Sequence, residues 1–300
     1  MVISRPTFTW KLRTRTLALG QRTLVMGVVN ITPDSFSDAG RFQDFDHAVA
    51  HSLRLIDEGA DILDIGGEST RPGKKKTVTA EMECERVVPV IQTVLRERPG
   101  TVISIDTYHA STARAAVEAG AEIVNDVSGF LWDAEMAQSC KELACGVVLM
   151  HMRGKPEEWR TLPPLPDPVG LVKKELAERL QNARMNGVDE NHIVLDPGFG
   201  FGKNFDENYP LLANLQEFHS LGRPLLSGTS RKSFIGRTLA IDGVDAPPNA
   251  RTTGSMATVT AAILSGAHIV RVHDVDAAID TALVADAIRL GAKARIFKEG

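Results

Sequence analysis

Three hundred residues could build one large α/β barrel or two ordinary domains, and 43% hydrophobic with 24% charged residues is a soluble, globular balance. The net charge of −4 speaks against general nucleic-acid binding, and no run of about 18 apolar residues offers a membrane span. Cys84, Cys140 and Cys145 contain no C-x-x-C pair, and the N-terminus lacks the apolar stretch of a signal peptide, so reduced thiols in a cytoplasmic protein are expected.

Residues 1–22 read as a strand-like extension. Short β-branched runs then recur: "TLVMGVVN" (23–30), "DILDIGG" (61–67), "TVISIDT" (101–107), "AEIVNDVSG" (121–129), "GVVLMH" (146–151), "HIVLDPG" (192–198), "RPLLSGTS" (223–230) and "HIVRVHD" (268–274). They are nearly continuous in apolar residues, as strands buried on both faces are. Helical patterns lie between them. "FDHAVAHSLRLIDEGA" ends at Gly59, "TAEMECERVVPVIQTVLRERPG" opens on Thr79 with glutamates in its first turn, "HASTARAAVEAGA" ends at Gly120, and "DPVGLVKKELAERLQNARMNGV" ends at Gly187. Eight strands alternating with about eight helices predict a single-domain (β/α)8 TIM barrel over residues 1–300. A doubly wound open sheet is the alternative, but "NITPDSFSDAG" after the first strand is no nucleotide fingerprint.

The sixth strand runs into "DPGFGFGK" (196–203). It imitates a phosphate loop without being one: the first glycine of G-x-x-x-x-G-K-[ST] falls on Pro197, and Asn204 stands where the hydroxyl should follow Lys203. A G-x-G-x-x-G reading fails as well, because its third glycine falls on Lys203. A binding loop of another kind is expected, with glycine permitting a sharp bend.

In such barrels the site lies at the C-terminal ends of the strands. Polar residues stand there on every strand: Asn30; Glu68, Thr70 and Arg71; Asp106 and Thr107; Asn125 and Asp126; His151 and Arg153 after Met150; Asp196 and Lys203; Ser230, Arg231, Lys232 and Ser233; Arg271, His273 and Asp274. Singly, Asp126 could be a cap and His151 a bonded core histidine; together they need one another or a ligand. Asp106, Asn125 and Asp196 suit a planar heterocycle with adjacent N–H donors. Arg71, Lys232, Arg271 and His273 suit an anion. No zinc ligand set or nucleophile elbow occurs, and Mg²⁺ shared with phosphate oxygens fits better.

The blocks "MGVVNITPDSFSDAG", "DIGGESTRPG", "SIDT", "NDVSG", "MHMRG", "LDPGFGFGKN", "SGTSRKSFIG" and "RVHDV" stand in the order and spacing of dihydropteroate synthases, a resemblance covering residues 23–290. It implies a pterin-binding TIM barrel that condenses 6-hydroxymethyl-7,8-dihydropterin pyrophosphate with p-aminobenzoate in folate synthesis. This family is a sulfonamide target and usually a homodimer. Residue by residue it implies pterin recognition by Asp106, Asn125, Asp196 and Lys232, with Met150 and Gly228 beside them. It implies a pyrophosphate site at Asn30, Arg271 and His273, with Asn30 on Mg²⁺. Thr70, Arg71 and Pro72 would lie on a closing loop, and Phe201 and Ser233 in the p-aminobenzoate pocket. The run Lys74, Lys75 and Lys76 is more basic than the family usually shows and reads as a solvated charge run or an attractor for anionic substrates. A pterin-binding methyltransferase would not need the "STRPG" and "SRKS" blocks, and a non-catalytic pterin-binding paralogue would not need the full polar set.

Overall fold

The computed structural model describes residues 5–31, 38–68 and 78–291. The expected site residues Thr70, Arg71 and Pro72 and the run Lys74, Lys75 and Lys76 lie outside them. All eight expected strands are present as one parallel sheet: β3 (Leu24–Asn30), β4 (Ile62–Gly66), β5 (Val102–Asp106), β6 (Ile123–Asp126), β7 (Gly146–Met150), β8 (Ile193–Asp196), β9 (Leu226–Ser227) and β10 (Ile269–Val272). The order β8-β7-β6-β5-β4-β3-β10-β9 closes into a barrel through the parallel bridge Leu195↔Leu225. β9 is two residues long where the sequence suggests eight; its flank still carries the closing bridge.

Helices occupy the crossovers. They are α1 (Asp38–Asp57), α2 (Ala80–Glu97), α3 (Ala110–Glu118), α4 (Met136–Leu143), α5 (Pro168–Met185), α6 (Asn208–Ala213), α7 (Ser233–Thr238), α8 (Thr252–Leu264) and α9 (Val275–Leu290). Two starts follow the sequence signals. Thr79 accepts from Met82 N (3.3 Å) ahead of α2, and Asp167 accepts from Gly170 N (2.9 Å) ahead of Pro168 in α5.

The extension forms a hairpin, β1 (Phe8–Lys11) and β2 (Thr16–Leu19), that plugs the N-terminal end of the barrel. Trp10, Leu12 and Leu19 pack on Leu24, Met26, Ile62, Val102, Ile123, Val148, Val194, Leu226 and Ile269. The Trp10 indole N–H donates to His192 O (2.7 Å). Residues of opposite parity, such as Val25, Leu63, Ile103, Val147 and Val270, face the helices in the larger core. Because side chains alternate along a strand, stepping two residues up from the plug on the inner face gives Val28, Asp64, Ser104, Asn125, Met150, Asp196, Gly228 and Arg271. One more step gives Asn30, Asp106, Val127, Ser230 and His273. The barrel interior thus changes from hydrocarbon to polar within two pleats.

Candidate active site

Those two upper layers open into a cavity of about 350 Å³ at the C-terminal mouth. It gathers Asn30, Asp106, Asn125, Met150, Asp196, Phe201, Gly228, Lys232, Ser233, Arg271 and His273, so every expected site residue within the described segments lines one space. Glu68, Trp159, Ser230, Arg231 and Arg251 complete the wall.

At its centre Arg271 is held between two carboxylates, Nε to Asp64 Oδ2 at 2.5 Å and Nη2 to Asp106 Oδ2 at 2.6 Å. Asn125 Nδ2 donates to the same Asp64 oxygen (2.9 Å). Asp64 Oδ1 and Ser104 Oγ are buried in the layer below without a partner among the described residues. Arg271 therefore joins the carboxylate floor to the cationic side, rather than standing apart as a cation for an anion. Asp64 did not stand out in "DILDIGG" because it precedes the strand end. Its signal was parity, the same inner face as Asp106 one pleat lower.

Burial pushes the Asp106 carboxyl up to about 7 against the pull of Arg271, and the Asp64 and Glu83 carboxylates add to the rise. Burial likewise pushes Asp196 up to about 6, although the Gly198 N–H (2.7 Å), Lys232 and Lys203 favour its ionised form. Burial first, then Arg271, Arg231 and Lys232, lower His273 to about 3. This imidazole is neutral near pH 7, where the sequence suggested a cation. Its Nδ1 lies 3.0 Å from Ser230 Oγ.

Phe201 lies under the Lys232 ammonium (3.8 Å to the ring centroid) and meets Trp159 edge-on (5.6 Å, 88°). A cation-capped aromatic wall of this kind suits an aryl ring bearing an anion. Trp159 sits in the long loop between β7 and α5, where no period or motif marked it. Glu68 accepts from the Tyr108 hydroxyl (2.8 Å), tying the segment after β4 to that after β5.

Several other strand-end residues, Asp126 and His151 among them, do not line the cavity. Asp126 accepts from Ser128 N (2.7 Å) and Phe130 N (2.8 Å), a turn cap. His151 is fully buried outside the barrel with Nε2 on Glu175 (2.9 Å). Arg231 does line the wall, but at the rim, where it forks onto Asp274 (Nη2–Oδ1 2.5 Å). Lys203 is buried in its own loop and holds no place for a phosphate, as the failed P-loop spacing required.

A hard cation is compatible with this mouth. Among the described residues no three His, Cys, Asp or Glu side chains form a metal cluster. The amide oxygen of Asn30, at the exposed end of β3, is a hard donor that would share an ion with phosphate oxygens and water, a coordination Mg²⁺ accepts.

Residues 26–273 match the family described as Pterin binding enzyme. A dihydropteroate synthase of Bacillus subtilis (strain 168) is 45% identical over 272 residues, 91% of this chain and 90% of that relative. The structure of Xanthomonas albilineans dihydropteroate synthase with 4-aminobenzoic acid superimposes with a TM-score of 0.85 at 42% identity, covering 95% of this chain and 99% of that one. The same organism's enzyme in complex with 7,8-dihydropteroate gives 0.78 at 41% identity, over 91% and 96% of the two chains.

Proposed function

The chain belongs to the dihydropteroate synthases among the pterin-binding enzymes, and from that premise we propose how its residues condense 6-hydroxymethyl-7,8-dihydropterin pyrophosphate with p-aminobenzoate to form 7,8-dihydropteroate and pyrophosphate. The observation that carries the assignment of roles is the convergence of two chemistries on one cavity. Acceptors on Asp106, Asn125 and Asp196 line it together with the cations Lys232 and Arg271 and the imidazole of His273.

The carboxylates of Asp106 and Asp196 accept the N–H groups of the pterin, and Asn125 supplies an amide beside them. As the bond from the pterin methylene to pyrophosphate breaks, positive charge grows on the methylene and negative charge on the leaving oxygen. The floor carboxylates stabilise the first, and Arg271 with the His273 N–H stabilises the second. The arylamine, seated along Phe201 under Lys232, forms the C–N bond and then loses its proton. Ser233, at the first position of α7, meets the carboxylate of p-aminobenzoate. Asn30 would hold Mg²⁺, which when bound would supply further charge neutralisation at the pyrophosphate.

Pyrophosphate release that requires p-aminobenzoate, with dihydropteroate formed, is the expected result for the purified chain with Mg²⁺. Tight pterin binding without such release would remove the catalytic reading and leave a binding protein. In Asn30→Ala the Mg²⁺ concentration for half-maximal rate should rise about tenfold, the loss of roughly one charge-assisted contact. An unchanged Mg²⁺ dependence would remove Asn30 from the ion.

The reading includes a cytoplasmic enzyme, in keeping with three free thiols; recovery outside the cytoplasm on cell fractionation would contradict it. It also includes a homodimer. Core packing accounts for much of α8, whose Thr258, Val259, Ala262 and Ile263 face inward. On α9, by contrast, Val284 and Ile288 are 61% and 51% exposed and share a face one turn apart. Light scattering should give twice 32.5 kDa, and Val284→Glu with Ile288→Glu should give the monomer; a monomeric wild type ends this proposal.

A further inference from the structure

The loops after β7 and β8 form a seam beyond the sheet. His151 N donates to Asp196 O (2.8 Å) and Arg153 N to Phe201 O (3.4 Å), so the strand pairing continues past the strand ends. The backbones approach so closely that a Cβ on Gly198 would lie 1.9 Å from His151 O, and one on Gly202 would lie 2.0 Å from Arg153 O. Both glycines have φ of 67°, in the left-handed region. Such an approach turns carbonyl oxygens toward one another, and buried carbonyls need donors.

Two buried basic side chains supply them. Lys203 Nζ donates to Gly198 O (2.7 Å), His151 O (3.2 Å) and Phe201 O (3.2 Å). Arg179 of α5 donates to Met150 O (2.9 Å) and Met152 O (2.8 Å). Neither side chain lines the cavity. What they hold does: Met150 and Phe201 are walls of it, and the Phe201 ring sits under Lys232.

We infer that Lys203 is a positioning residue for the aryl half of the cavity. Its three hydrogen bonds fix the glycine loop, and the loop fixes the Phe201 ring against Trp159 and Lys232. The lysine of "DPGFGFGK" thus does work opposite to that of a P-loop lysine: it binds its own loop's carbonyls instead of a ligand's phosphate. The inference rests on reading this site as the seat of p-aminobenzoate beside Phe201.

The test is Lys203→Met, which keeps the length and removes the donors. Its kcat/KM for p-aminobenzoate should fall about ten- to a hundredfold, as expected for a reactive partner misplaced by an ångström or less. The Kd for a non-reactive pterin should change much less, because Asp196 and Asn125 are carried by the strands. Amide hydrogen exchange across residues 198–203 should quicken while the barrel strands stay protected. Arg179→Lys keeps a cation at the neighbouring carbonyls and should produce a smaller loss in the same parameter; it serves if the methionine variant does not fold. A folded variant with wild-type KM for p-aminobenzoate overturns the inference, and so does an equal loss in both substrates. Unchanged exchange in 198–203 overturns it even where the wild type turns over normally. Absence of wild-type turnover would instead strike the proposed reaction, with the exchange result still deciding the clamp.

Discussion

Replacing Arg271 by methionine is expected to abolish measurable turnover and to lower unfolding stability by about 3–5 kcal/mol, the cost of breaking a buried ion pair from one side. Asp64 is fully buried, and its carboxylate has Arg271 Nε at 2.5 Å and Asn125 Nδ2 at 2.9 Å. Asp106 has Arg271 Nη2 at 2.6 Å. Without the guanidinium two carboxylates face each other across neighbouring strands with Asn125 as the remaining donor. Lysine is no remedy, because a point charge cannot reproduce the fork.

The loss has a pH signature. Burial already raises Asp106 to about 7, above its unfolded value near 3.8. A raised carboxyl favours the folded state below the unfolded pKa, and that contribution is lost as pH rises through the folded one. Removing Arg271 raises the folded value further. The variant's deficit relative to wild type should therefore be small near pH 4 and grow through pH 7 and above. Urea unfolding at pH 5 and pH 8 measures it. A deficit equal at both values, or wild-type turnover in the variant, would show that Arg271 does not hold these carboxylates.

The barrel was legible because a strand buried on both faces leaves a long apolar run, and glycine punctuates each helix end. The active-site list was legible because polar residues crowded the ends of those runs. What the list could not resolve was direction. Asn125 and Asp126 are adjacent and equally polar, yet one lines the cavity and the other caps a turn. Strand parity separates them once a single inner residue is fixed, and the same parity would have added Asp64 from "DILDIGG" and Ser104 from "TVISIDT". No period marks Trp159 on its loop or tells Lys203 to fold back on its own carbonyls. The plug at the barrel base was out of reach for a different reason. It depends on contacts such as that of Trp10 with His192, whose partners are far apart in sequence.

Asp196→Asn is expected to weaken pterin binding by about 1.5–3 kcal/mol, the worth of hydrogen bonds to a charged acceptor, or roughly ten- to 150-fold in Kd. The shape is retained, and the amide oxygen can still accept the Gly198 N–H that now reaches Asp196 Oδ1 at 2.7 Å; what is lost is the charge. Burial raises the wild-type carboxyl to about 6, so the ligand-free fold gains from its protonation in acid and loses that contribution as pH rises through 6. A bound pterin reverses the preference, because its N–H donors favour the carboxylate. Wild-type affinity should therefore climb through about pH 6, with a second step near 7 from Asp106, and then level off. In Asp196→Asn the lower step should vanish and the upper one remain. Calorimetric titration with a non-reactive pterin between pH 5 and 8 resolves the two. An unchanged affinity with both steps intact would mean that the pterin does not meet Asp196. Loss of both steps would mean that the two carboxyls titrate as one coupled pair across the cavity floor, not as separate acceptors.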